Sequence, residues 1–412
     1  MLFDSFLRSV ARMPRLRGAV PESLRAAVRR RLRIDAYNRV LWRRENQFAG
    51  TDYEWEWSNG ECAGTMGILA DPMNEHRHFI QACLDLSVSY RVIDFCADDW
   101  QKNVSERPLV GCVAWPYAYD RVGRSVFEER MLILSDVMGM QVIPTRDEMW
   151  LYESKRRARE WLHAHNLPRS RTWVFCTEEE SLSFLERCEY PVVFKTDLGA
   201  SAHGVTLCRT RKGAVRLAKR CFGDGFRIPR YDPRDRQWGF VIFQEYIDVE
   251  NEWRIIRVGD SFFCRLKGRN GEFFSGSGTI DWARPPIVLL DAVRIVTETM
   301  GFRSMCVDLF ESVDRSFVIN ELHAVFGGRQ LPPSPLAGRY LFDEPAGRWT
   351  FQHGDYFRNR CANLRVLDLF QRVTGDPIPW IPGDGPTPEE PVVYGEAELH
   401  SIDDVRTLTA DG

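Results

Sequence analysis

The chain has no C-x-x-C pair and no cluster of cysteine with histidine, although eleven cysteines and eight histidines are spread along its 412 residues. Thiol-redox motifs and thiolate metal sites are thereby excluded, and buried, reduced thiols are expected, which favours the cytoplasm. No apolar run approaches the eighteen or so residues of a membrane span, so a soluble protein is expected. The net charge is only −3, which argues against a globally basic nucleic-acid binder. There is no repeat and no low-complexity segment, and no persuasive Ser/His/Asp or Cys/His triad for nucleophilic catalysis.

The chain does carry 44% apolar and 12% aromatic residues, enough for a large core. Its length exceeds the usual single-core domain, so two or three domains sharing a cleft are expected. Residues 1–44 hold twelve arginines against three acids. Within them Leu24, Ala27, Val28 and Leu32 recur at helical spacing, and two readings stand: a solvated amphipathic helix packed on the body, or docking to a membrane surface or an acidic partner.

From Gly67 short apolar runs alternate with helical stretches: GILADP, a helix from His78 to Leu86, YRVID, then LVGCVAW around Val110 and MQVIP at 140–144. This pattern predicts a small Rossmann-like α/β layer. A continuous helix is predicted from Asp147 to His165, ended by Leu167-Pro168. TWVF at 172–175, a helix over 178–187, YPVVFK at 190–195 and VTLC at 205–208 follow. Beyond Arg230 come the β-runs GFVIFQEYI, EWRIIRV and SFFCRLK, a helix over 290–300, and the strands MCVDLFES and SFVINELH. The tail after Gly328 is rich in Pro, Gly and aromatics, with one predicted helix at 364–373. Its Arg329, Arg339, Trp349, His353, Tyr356 and Arg358 read better as packing than as the lining of an acidic acceptor site.

Several motifs carry chemistry in combination. Lys195 closes an apolar strand and is followed by T-D-L-G-A-S-A-H-G-V, a cation beside a small-residue loop that nucleotide phosphates can use; a surface lysine before an ordinary hairpin is the alternative. Lys155 stands forty residues upstream in the predicted helix. FQEYI leads to Glu252 and Arg254, which strand alternation places on one face. Asp308 lies between apolar neighbours on MCVDLFES, and Glu321 and His323 share a face of FVINELH. A buried carboxylate in that setting is costly unless it binds something, either a divalent cation that also takes phosphate oxygens or a structural arginine partner.

In this order, the elements resemble the ATP-grasp superfamily over about residues 65–330. The resemblance implies an α/β and α+β chain with an ATP-grasp fold behind a Rossmann-like pre-ATP-grasp domain. The expected units are 1–60, an arginine-rich extension; 61–145, the α/β domain; 146–242 and 243–330, the two ATP-grasp subdomains; and 331–412, a C-terminal extension. It implies further that Lys155 and Lys195 hold the phosphates under a loop that includes Gly199, Ser201 and Gly204. Gln244, Glu245, Tyr246 and Ile247 would meet adenine, Glu252 the ribose, and Arg254, helped by Lys267 or Arg265, the transferring phosphate. Asp308 and Glu321 would bind Mg²⁺, with His323 where the family has Asn, a donor that also suits Mn²⁺. Gly327-Gly328 would form the turn toward the acceptor site.

The implied reaction is ATP-dependent: a carboxylate, activated as an acylphosphate, is attacked by an amine, with release of ADP and phosphate. Small-molecule or peptide carboxylates and amines would be the partners, with no nucleic acid. A phosphotransferase, or a nucleotide-binding member without turnover, stands as the alternative.

Overall fold

A computed structural model of the chain describes residues 52–60, 62, 64–199, 204–228, 234–268, 280–314, 316–326, 336–380 and 389–408. The arginine-rich segment, Ser201 and Gly327-Gly328 lie outside the described residues.

The first unit runs β1 (Glu56–Trp57), β2 (Thr65–Leu69), α1 (Arg77–Asp85), β3 (Ser89–Ile93), α2 (Trp100–Ser105), β4 (Gly111–Ala114), α3 (Arg121–Leu132) and β5 (Val142–Ile143). Two helices lead onward, α4 (Arg146–Leu151) and α5 (Lys155–Ala164). The second unit comprises β6 (Thr172–Phe175), α6 (Glu178–Arg187), β7 (Val192–Lys195), β8 (Val205–Cys208), α7 (Arg211–Phe222), β9 (Phe226–Arg227), β10 (Arg236–Gln237) and β11 (Val241–Glu245). The third begins with β12 (Val249–Val258), β13 (Ser261–Lys267), β14 (Ile280–Asp281), α8 (Ile287–Thr299), β15 (Ser304–Ser312) and β16 (Phe317–His323). It ends with β17 (Gly338–Asp343), β18 (Arg348–His353), α9 (Arg358–Thr374), β19 (Val392–Glu396) and α10 (Ile402–Arg406).

The first sheet has the order β1-β3-β2-β4-β5, parallel except for β1. Its strands are apolar on both faces because helices cover both. On one side Met66, Ile68 and Val113 pack with Phe79 and Cys83 of α1 and with Ala362, Val366 and Leu369 of α9. On the other side Leu69, Cys112 and Ala114 meet Trp100 and Val104 of α2 and Met131 of α3. β1 lies inside the stretch expected as an extension, and Trp57 stacks on Tyr90, so this unit begins upstream of residue 61.

The second unit is an antiparallel sheet, β6-β11-β7-β8. Phe175, Phe194 and Phe243 pack there with Leu185 of α6 and Ala214, Ala218 and Cys221 of α7. Strand alternation therefore turns Val193, Lys195, Ile242 and Gln244 to the opposite face.

The third unit is a larger antiparallel sheet, β16-β15-β12-β13-β17-β18-β19, with β14 added to β13. One face, including Trp253, Ile255, Cys264, Val307, Leu309 and Leu322, packs on Leu289, Val293 and Val296 of α8. The boundary expected at residue 330 divides this sheet: β17 to β19 continue it, and α9 completes the first unit. The C-terminal segment is part of the body, because neither sheet buries its apolar surface without it. Of the residues read as packing, Arg329 lies outside the described residues, whereas Trp349 and Arg339 pack. Trp349 is fully buried with its Nε1 donating to Asp291, and the Arg339 guanidinium lies 4.1 Å over Tyr356.

All eleven cysteines are free; seven are buried, and Cys96 and Cys176 are exposed. Among the described residues no helix is long and apolar enough to cross a membrane.

Candidate functional site

The same alternation that buries one face of the third sheet gathers charge on the other. Cross-strand register sets Glu252 opposite Lys267, Arg254 opposite both Arg265 and Asp308, Asp308 opposite Glu321, and Cys306 opposite His323. Paired residues share a face, so four neighbouring strands present one polar patch. Asp308, fully buried, lies at its centre. Arg254 grips it with two bonds, Nε to Oδ1 at 2.7 Å and NH2 to Oδ2 at 2.8 Å, and Lys267 Nζ donates to Oδ2 at 2.6 Å. Burial alone would raise the Asp308 carboxyl, but Arg254 and Lys267 hold it well below the usual range.

Lys267 also donates to Glu252, whose side chain is 2% exposed. The expected ribose carboxylate is thus committed to the charged patch through a lysine that sequence spacing did not reveal as its partner. Arg265 is buried between Trp282 and Phe357, each ring centroid 4.5 Å from the guanidinium carbon, and burial lowers it to about 10.

The other half of the site comes from the helix entry and the second sheet. The helix expected over 147–165 is broken: α4 ends at Leu151, Glu153 takes a left-handed φ of 51°, and Ser154 caps α5. Lys155 is therefore the first residue of a new helix. Its Nζ donates to the Gly199 carbonyl at 2.8 Å and lies 3.5 Å from Glu321. Burial opposes its charge, yet Glu321, Glu153 and Asp197 outweigh burial and raise Lys155. Lys195 Nζ donates to Asn320 Oδ1 at 3.0 Å, so the second sheet reaches across to the third. Here burial prevails and lowers Lys195 to about 8.

Gly204 closes the glycine loop and accepts from Thr196 N. Its φ is +87°, and a Cβ there would meet Thr196 Oγ1 at 2.0 Å. Gly204→Ala is expected to cost about 1–3 kcal/mol of local strain, read as a lower thermal midpoint. Gln244 donates to Thr172 Oγ1, and Glu245 binds Arg171. Both lie inside the ladder of β11 with β6 or β7, whereas Tyr246 and Ile247 fall past its end. The backbones of Gln244 and Glu245 are thus committed to the sheet.

Ligand atoms of Asp308, Glu321 and His323 all lie within 4.8 Å of one another. His323 Nε2 is 3.1 Å from Glu321 Oε2 and 3.7 Å from Asp308 Oδ2. Burial works against an imidazolium, but these two carboxylates raise His323 to about 9. Two carboxylates and one imidazole in this arrangement suit a hard or borderline divalent cation that leaves coordination positions open.

Glu153, Asp197 and Asn320 were missed in sequence. Asp197 accepts from Ser154 Oγ at 2.8 Å and from Arg156 N at 2.9 Å, tying the glycine loop to the start of α5. The ladder shifts between Asp308 and Leu309, which face Glu321 and Ile319, so Asn320 is the residue of a β-bulge. The one available signal was Ser154, a helix-capping residue type inside a predicted helix.

No family model matches the chain. Among curated proteins, phosphoribosylamine–glycine ligase of Clostridium acetobutylicum is 35% identical over 66 residues, and the chain spans only 16% of that relative's length, with 16% of this chain covered. Among solved structures, a RimK domain ATP-grasp protein from Sphaerobacter thermophilus is 17% identical, covering 63% of this chain and 90% of its own, with TM-score 0.45. N5-carboxyaminoimidazole synthetase from Staphylococcus aureus is 11% identical over 77% of this chain and 79% of its own, with TM-score 0.47. D-cycloserine synthetase DcsG is 15% identical over 76% of this chain and all of its own, with TM-score 0.49.

Proposed function

We propose that this chain is an ATP-grasp enzyme, an ATP-dependent ligase that joins a carboxylate to an amine with release of ADP and phosphate. The observation that carries the reading is the meeting of two lysines, Lys155 and Lys195, with the Arg254, Lys267, Asp308, Glu321 and His323 patch. Cations from one side and cations with metal-ligand types from the other are what transfer of a phosphoryl group to a carboxylate requires, since positioning and charge neutralisation supply most of its catalysis.

In this reading Lys155 and Lys195 bind the ATP phosphates, with Gly199 and Gly204 framing the loop above them. Tyr246 and Ile247 present backbone groups to the base. Arg254 and Lys267, held in place by Asp308 and Glu252, stabilise charge on the transferring phosphoryl group. A divalent cation held by Asp308, Glu321 and His323 would neutralise phosphate charge. The products are ADP and an acylphosphate, and the amine then displaces phosphate. No side-chain nucleophile is needed.

The test is ADP release by the full-length chain with Mg²⁺ or Mn²⁺ against a panel of carboxylates, with and without amines. Release that needs both partners and yields an amide supports the ligase. Release with a stable phosphorylated product points to a phosphotransferase, and no ADP release with any pair counts against turnover.

A further inference from the structure

The break between α4 and α5 puts a carboxylate behind the one ligand candidate that departs from the family pattern. His323 turns Nε2 toward Asp308 and Glu321, and its other nitrogen, Nδ1, lies 3.8 Å from Glu153 Oε1. That separation is an ion-pair distance, longer than a hydrogen bond. The Glu153 side chain is 11% exposed, and its Oε2 is buried without a hydrogen-bond partner. The edge of the Tyr152 ring closes another side of the imidazole, with centroids 6.2 Å apart and planes at 76°.

The conformation that aims Glu153 is imposed from outside. A left-handed φ is unfavourable for a glutamate and persists only where its surroundings require it. Here the buried Arg124 of α3 donates to the carbonyls of Trp150, Tyr152 and Glu153 at 3.2, 2.6 and 3.2 Å, and its own Nε bonds Glu128. On the other side, Ser154 Oγ donates to Asp197 and accepts from Arg157 N. The backbone at residue 153 is thus fixed at both ends, and its side chain is left facing His323.

We propose that Glu153 is a positioning residue: its carboxylate faces His323 Nδ1 and orients the ring, so that Nε2 is turned to a divalent cation shared with Asp308 and Glu321. A metal-binding histidine is commonly oriented by a carboxylate on its second nitrogen, and loss of that carboxylate typically costs 10- to 100-fold in metal affinity. The asparagine that the family pattern has at this position would have no such second nitrogen. The inference rests on the metal role given to His323 above, but its test does not depend on turnover.

The measurement is Mn²⁺ binding to the full-length chain by electron paramagnetic resonance, with no carboxylate or amine present. Glu153→Gly relieves the left-handed backbone while deleting the carboxylate, and it is expected to weaken Mn²⁺ binding about tenfold or more with the thermal midpoint kept. Glu153→Gln keeps the shape and an acceptor but removes the charge, and it should lose less Mn²⁺ affinity than Glu153→Gly. In a His323→Asn background, Glu153→Gly should cause no further loss, because the coupling needs the imidazole. Unchanged Mn²⁺ affinity in Glu153→Gly, an equal loss in the His323→Asn background, or an unaltered chain that binds no Mn²⁺ would each overturn the proposal. If Mn²⁺ binding shows the coupling but no substrate pair releases ADP, only the ligase reading fails.

Discussion

Asp308→Asn is expected to reduce ADP release by at least about a hundredfold while leaving a folded, less stable protein. The substitution keeps the shape of the side chain and removes its charge. Arg254 loses its bidentate partner and Lys267 loses one of its two, so two largely buried cations face each other with Glu252 and Glu321 as the nearby acids. Removing one partner of a buried ion pair costs about 3–5 kcal/mol, which should appear as a thermal midpoint lower by several degrees. The same change removes a ligand charge from the candidate metal site and releases Arg254 from its position. Stability and activity can be separated with Asp308→Glu, which keeps the charge but displaces it by one methylene. That variant should regain most of the lost stability and little of the lost turnover. Full ADP release by Asp308→Asn would remove both the metal site and the role of Arg254.

The charged face was legible in sequence because it obeys a local rule. Strand alternation alone groups Glu252 with Arg254 and Glu321 with His323, and sets Asp308 apart from its apolar neighbours. The partners across strands were not legible. Glu252 reads as a ribose acid with no partner in the chain until the register of β12 against β13 sets it opposite Lys267, and register is a long-range property. Asn320 is hidden for the opposite reason, since the bulge that frees it breaks the alternation used to read its strand. Glu153 lies in a stretch of good helix formers with neither glycine nor proline, so propensity carries the helix straight through. Only tertiary contacts from Arg124 and Asp197 break it. The C-terminal strands were missed on composition: alternation is visible in β17 and β18, but flanking Pro and Gly residues suggest irregular structure. Their place becomes evident only once the third sheet needs a continuation beyond β13.

Lys195→Ala is expected to weaken ATP binding by roughly 10- to 150-fold, the equivalent of the ~1.5–3 kcal/mol carried by a charge-assisted bond. The loss should depend on pH in a way that a merely structural lysine would not reproduce. In the ligand-free chain burial lowers Lys195 to about 8, below the 10.5 of a free lysine. Below pH 8 the lysine is charged in both folded and unfolded chains, and the cost of burying it is fully present. As pH rises from 8 toward 10.5 the folded chain sheds that proton first, so the ligand-free protein gains stability from this group. Phosphate favours the charged form, and above pH 8 binding must then take up a proton. ATP affinity of the unaltered chain should consequently fall above pH 8, by at most about tenfold per pH unit. Lys195→Arg, which stays charged, should lack the proton uptake that begins near pH 8, leaving the titration of His323 near 9, even if its affinity is lower overall. Lys155→Ala should lower affinity and move the fall to higher pH, because the Lys155 charge helps burial to lower Lys195. Calorimetric titration of ATP between pH 7 and 9.5 in buffers of different ionisation enthalpy would register both the affinity and the proton uptake. An affinity that is independent of pH in the unaltered chain would place the nucleotide phosphates away from Lys195.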